Sequence, residues 1–190
     1  TLTECKYAIA VSSATAALHL TAIASGLDEN CCAIVPTITF VATANAVRYC
    51  GAKVIFADVD PLTGLMGPKQ FEEALFRAKK LDLAPKVVFL VHLAGQCADL
   101  EALYKIAFRE EINVIEDAAH AIGTKYTDSH NQIFTVGCCE HSTMTVFSFH
   151  PAKTIAMGEG GAITTNDPEL ANKLRLLRSH GITKSRDDFI

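Results

Sequence analysis

Short β-rich runs alternate with helical patterns along almost the whole chain, and this alternation limits the fold more than any other feature. Strands that run parallel in one sheet need a crossover between them, and a helix is the usual one. Strands are expected at Lys6 to Val11, Ala33 to Val35, Lys53 to Ala57, Lys86 to His92, Asn113 to Glu116, Met144 to Ser148 and Gly161 to Thr164. Helical patterns fall at Ala14 to Ser25, Phe40 to Cys50, Pro68 to Lys79, Leu100 to Arg109 and Pro168 to Arg178. The punctuation agrees: Ser13 and Asp167 suit N-caps, Pro68 suits a first helical turn, and Gly26 and Gly51 suit helix ends. The expected class is α/β, a three-layer α/β/α arrangement with a mostly parallel sheet. No internal repeat or low-complexity linker interrupts it. Asp128 to Glu140, polar and irregular, reads as a long surface excursion.

The chain has 190 residues, of which 49% are hydrophobic, enough for one sizeable core. Its net charge of −4, with no basic cluster, excludes the electrostatic footprint of a nucleic-acid binder. No stretch is long enough to span a bilayer, and no signal peptide is visible. Seven cysteines, an odd number, then point to reduced thiols and a cytoplasmic protein. Cys31-Cys32 and Cys138-Cys139, the latter near His141, lack the CxxC spacing of structural zinc, so no metal is expected. The opening without Met and the close at KSRDDFI give the expectation of a fragment.

In open parallel sheets, ligands collect beyond the carboxyl ends of strands, and the unusual polar residues fall at such ends. Ser12-Ser13-Ala14-Thr15 follows the first strand and opens a helix, a place suited to a phosphate or to a plain cap. Asp117 follows the apolar strand NVIE, where a carboxylate can hold a protonated ring nitrogen. Glu116 is its rival, but strand alternation points the two in opposite directions. His120 lies near the same space. Ser148 ends the strand MTVFS and can bond a phosphate. Lys153, five residues later among apolar and glycine neighbours, is suited to attack an aldehyde carbon as an amine nucleophile. Gly158, Gly160 and Gly161 allow backbone to pass close to a bound ring, although GEGG lacks the ending of a phosphate P-loop. Phe40 either lays its face on a planar heterocycle or packs into the core.

Taken together, SSATAALHL, PTITFVATANAV, Asp117-Ala118-Ala119-His120 and FSFHPAKTIAMGEGGAITTND resemble, in order, the DegT/DnrJ/EryC1/StrS family. Its members are pyridoxal 5'-phosphate-dependent sugar aminotransferases of fold type I. Within the family, MTVFSFHPAKTI and LRLLRSHGIT are most similar to the branch that aminates C4 of a UDP-linked 4-keto sugar for pseudaminic acid. The resemblance implies that residues 1–190 form the cofactor-binding large domain, with an N-terminal segment and a C-terminal small domain outside them. Lys153 matches the lysine that bonds to the cofactor's aldehyde and then moves protons to the sugar's C4. Asp117 matches the partner of the pyridine nitrogen, His120 a neighbour of the phenolic oxygen, and Phe40 the stacked aromatic. Ser148 matches a phosphate ligand, with Ser13, Ala14 and Thr15 giving the helix-end contacts. Glutamate as amino donor, a keto nucleotide sugar as acceptor and a homodimer follow from the same resemblance.

Other classes fit less well. Dehydratases of the family carry histidine in place of the lysine, and Lys153 argues against that branch. A nicotinamide enzyme would show GxGxxG after a strand, where this chain has SSAT. A non-catalytic dimerising homologue would have no need to keep Lys153, Asp117, His120 and Ser148 together.

Overall fold

The computed structural model describes residues 2–182. Seven strands form one sheet in the order β1-β9-β8-β5-β4-β2-β3, where β1 is Tyr7–Val11, β2 Cys31–Pro36, β3 Lys53–Ala57, β4 Ala84–Val91, β5 Asn113–Asp117, β8 Met144–Ser148 and β9 Gly161–Thr165. Only β9 runs against its neighbours, pairing antiparallel with both β1 and β8. The last element, helix α5 (Pro168–Arg178), starts on Asp167, whose carboxylate caps the amides of Glu169 and Leu170.

Period-2 alternation divides the strand side chains between two cores. Ala33, Val87, Phe89, Ile115 and Val146 face one side, covered by α1 (Ala14–Ala24), α2 (Val41–Tyr49) and α5. Cys32, Ile34, Val88, Leu90 and Val114 face the other, under α3 (Pro68–Lys80) and α4 (Leu100–Arg109). β2 is buried along its whole length, as a central parallel strand covered on both faces must be. The expected three layers are therefore observed.

The polar excursion differs from its expectation. Lys125–Thr127 (β6) and Ile133–Thr135 (β7) form an antiparallel hairpin, tied down where the Glu101 carboxylate on α4 accepts from the amide and hydroxyl of Ser129. Val136 and Cys139 are core residues, Val136 packing with Ala118, Ala121 and Phe147. Gly137, with φ of 92°, lets this segment turn under the Phe147 ring, whose Cζ would lie 2.4 Å from any Cβ added there.

Candidate active site

The carboxyl ends of β1, β4, β5 and β8 surround a cavity of about 450 Å³. Ser13, Ala14, Thr15, Phe40, Asp117, His120, Ser148 and Lys153, all singled out from the sequence, line it. That volume lies within the range of small-molecule sites.

Asp117 and Glu116 point to opposite faces, as alternation requires. Asp117, the last residue of β5, is 6% exposed and sits on the α1/α2 side. Its Oδ2 accepts from Thr43 Oγ1 at 2.7 Å and its Oδ1 from the Ala119 amide at 3.3 Å. The chain turns directly afterwards, with the Ala121 amide donating to Ala118 O at 3.0 Å, and this turn brings His120 over the cavity. Thr43, on α2 and fully buried, was not singled out from the sequence.

Lys153 returns to the cavity on a loop closed by the Met157 amide, which donates to Phe149 O at 2.9 Å. Its Nζ lies 2.8 Å from His120 Nε2. The apolar neighbours in sequence do not enclose it: Lys153 is half-buried, and Ile155 and Met157 are exposed. Flanking hydrophobicity predicts burial only when the loop folds inward, and this one lies on the rim.

Phe40 is 74% exposed at the N-terminus of α2 and lines the cavity, so the core alternative for it is not realised. Ser13 caps α1, its Oγ accepting from the Ala16 amide at 3.1 Å; with that bond made, the N–H groups of Ala14 and Thr15 are the free donors of the first turn. Ser148 Oγ accepts from the His150 amide at 3.4 Å.

The three glycines differ in their surroundings. Gly158 turns the chain at φ of 76° in open space, and Gly160 lies beside Phe149. Gly161 pairs with Val11 on one side and Ser148 on the other, and a Cβ there would fall 2.6 Å from the Ser13 carbonyl carbon. The missing side chain thus lets the first turn of α1 sit against β9, next to Ser148. Among the described residues, no group of three or more His, Cys, Asp or Glu side chains is placed to hold a metal ion.

A mostly parallel sheet under helices on both faces, with a lysine, a buried carboxylate and a helix N-terminus around one cavity, defines the large domain of a fold-type-I transferase. The family model described as the DegT/DnrJ/EryC1/StrS aminotransferase family matches residues 1–190, and the chain belongs to that family. The family depends on pyridoxal 5'-phosphate. Among solved structures, a DegT/DnrJ/EryC1/StrS aminotransferase from Brucella abortus is 35% identical, with a TM-score of 0.88 over 99% of this chain and 49% of that one. PseC of Helicobacter pylori, an aminotransferase involved in pseudaminic acid biosynthesis, is 32% identical, with a TM-score of 0.81 over 100% of this chain and 47% of that one. NtdA of Bacillus subtilis, solved with the cofactor PMP bound, is 34% identical, with a TM-score of 0.76 over 90% of this chain and 36% of that one. The chain therefore spans about half or less of the length of these structures.

The residues present fit the family's cofactor. A buried carboxylate faces the cavity and could hold a ring nitrogen, and the close approach permitted by Gly161 groups Ser148 with the first turn of α1, whose free amides could hold a phosphate.

Proposed function

We propose that the protein is a pyridoxal phosphate-dependent aminotransferase that moves an amino group from glutamate to the C4 ketone of a UDP-linked 4-keto-6-deoxy-N-acetylhexosamine, in pseudaminic acid-type biosynthesis. The observation that carries this reading is the 2.8 Å approach of Lys153 Nζ to His120 Nε2 in the cavity that Asp117 also lines. When bound, the cofactor supplies the electron sink that makes a proton next to nitrogen removable.

The chain's own residues do the rest. Lys153 Nζ would hold the cofactor through its aldehyde carbon and would carry a proton between donor or acceptor carbon and cofactor. His120 holds that amine in place through its Nε2. Asp117, kept in orientation by Thr43, retains the proton on the pyridine nitrogen, which strengthens the sink. Ala14 and Thr15 bind the phosphate through the α1 terminus, with Ser13 fixing that turn and Ser148 adding a hydroxyl. Phe40 covers the ring face. Donor and acceptor react in turn at one site, so the kinetics are ping-pong. In this reading residues 1–190 are the cofactor-binding large domain of a cytoplasmic homodimer.

Similarity to the Helicobacter pylori enzyme and the C4-branch motifs support the choice of sugar. The test is product analysis after incubation with pyridoxal phosphate, glutamate and either UDP- or dTDP-linked 4-keto and 3-keto sugars. Amination of the UDP-linked 4-keto sugar is expected. Amination of a different keto sugar would replace the substrate, and consumption of no amino donor with any sugar would favour a non-catalytic homologue.

A further inference from the structure

Glu116, on the opposite face of the sheet from Asp117, and His92, which also lines the cavity, form a buried ionisable pair that the proposed chemistry does not use. Glu116 Oε2 is 2.9 Å from His92 Nε2, while Oε1 accepts from Ser142 Oγ at 2.5 Å and Thr145 Oγ1 at 2.6 Å. Burial pushes the Glu116 carboxyl up, but these bonds outweigh it and hold the group below its ordinary value. A carboxylate so surrounded by donors is an acceptor only. His92 Nδ1 in turn accepts from the Ala98 amide at 3.2 Å, so the ring proton is on Nε2 and points at Glu116.

The ring's bond from Ala98 closes the loop that follows β4, and backbone bonds hold its first turn. The His92 amide donates to Asp117 O at 3.1 Å, and the Gly95 amide donates to His92 O at 3.1 Å. Between them Ala94 adopts φ of 54°, left-handed and unfavourable for a residue with a Cβ, which aims its amide at His120 Nδ1, 3.3 Å away. The loop is pressed close: a Cβ on Gly95 would lie 3.0 Å from His120 O, and Thr124 Oγ1 donates to Gly95 O at 3.0 Å. A His120 ring that accepts at Nδ1 must carry its proton at Nε2, the atom 2.8 Å from Lys153 Nζ.

We propose that Glu116 and His92 are positioning residues: by fixing the loop that follows β4 they set the His120 tautomer, with Nδ1 accepting from the Ala94 amide and Nε2–H facing Lys153 Nζ. The opposite tautomer would set Nδ1–H against the Ala94 N–H. This inference rests on Lys153 being the reactive amine, but the tautomer can be read without any cofactor.

The experiment is 15N-resolved NMR of the His120 imidazole in the cofactor-free protein, with Lys153 adduct formation by pyridoxal phosphate and borohydride as a second readout. Wild type is expected to show the Nε2–H tautomer; an Nδ1–H form would overturn the proposal whatever the variants do. Two variants share a background without an orphaned charge, Glu116→Gln with His92→Phe and Glu116→Gln with His92→Asn, since Asn can still accept from Ala98. The Phe pair is expected to give mixed tautomers and adduct formation slowed roughly tenfold, the scale of one lost hydrogen bond. The Asn pair is expected to recover most of both. Unchanged tautomer in the Phe pair, or no recovery in the Asn pair, would overturn the assignment. If the Phe pair does not fold, wild type and the Asn pair decide it. Absence of any Lys153 adduct in wild type with the Nε2–H tautomer intact would sink the aminotransferase reading instead.

Discussion

Thr43 Oγ1 donates to Asp117 Oδ2 at 2.7 Å, joining α2 to the end of β5 across 74 residues of sequence. Both groups are buried, so this bond fixes where the carboxylate points before any ligand arrives.

Thr43→Val keeps the side-chain shape and removes the hydroxyl, which is the donor to Asp117 and also the 2.8 Å partner of Thr39 Oγ1. A lost hydrogen bond to a charged group costs about 1.5–3 kcal/mol, so denaturant unfolding should show a lower midpoint of that order. Pyridoxal phosphate affinity should fall as well. A variant with wild-type stability and affinity would remove Thr43 from the site.

Gly161→Ala tests the close approach of α1 to β9. The added Cβ meets Ser13 backbone at 2.6 Å, and such overpacking costs about 1–3 kcal/mol. Cofactor retention after gel filtration should drop with it. Gly160→Ala meets only the Phe149 side chain, at 3.5 Å, and serves as the control with little effect on either measurement.

Ser148→Ala should leave the melting temperature nearly unchanged and weaken cofactor binding, because Ser148 Oγ makes one long bond, 3.4 Å, to the His150 amide. Equilibrium dialysis against pyridoxal phosphate measures this. Equal affinity in the two proteins would take Ser148 out of the phosphate site.

Cys5 should be the most readily alkylated thiol at neutral pH. Interaction with the Cys139 thiol outweighs partial burial and lowers its pKa to about 7, whereas burial pushes Cys97 up to about 12. The thiolate is the nucleophile, so iodoacetamide labelling of Cys5 should be slow below pH 7 and rise through it. Peptide mapping that finds Cys97 labelled first would contradict this ordering.

How much was legible before the structure depends on the kind of signal. β3, β8, α4 and α5 have the bounds read from the sequence, because their apolar periodicity ends at clear punctuation such as Asp99 before Leu100 and Asp167 before Pro168. Hairpin β6-β7 was missed because each strand is three residues long, too short for alternation to show, and because its anchor is the distant Glu101. The site residues were visible through their positions at strand ends. Thr43 was not, since nothing local distinguishes a threonine inside a helix that reaches a carboxylate from one that packs. Lys153 lines the cavity but is not enclosed by its apolar neighbours in sequence, because Ile155 and Met157 face outward.

The most direct test of the account is borohydride reduction of the pyridoxal phosphate-loaded protein followed by peptide mass spectrometry, with Lys153→Ala alongside. The account predicts one phosphopyridoxyl adduct, on Lys153, and none in a variant that melts as wild type does, since the lysine lies on a half-exposed loop. An adduct on a different lysine, or one that persists in Lys153→Ala, would contradict it.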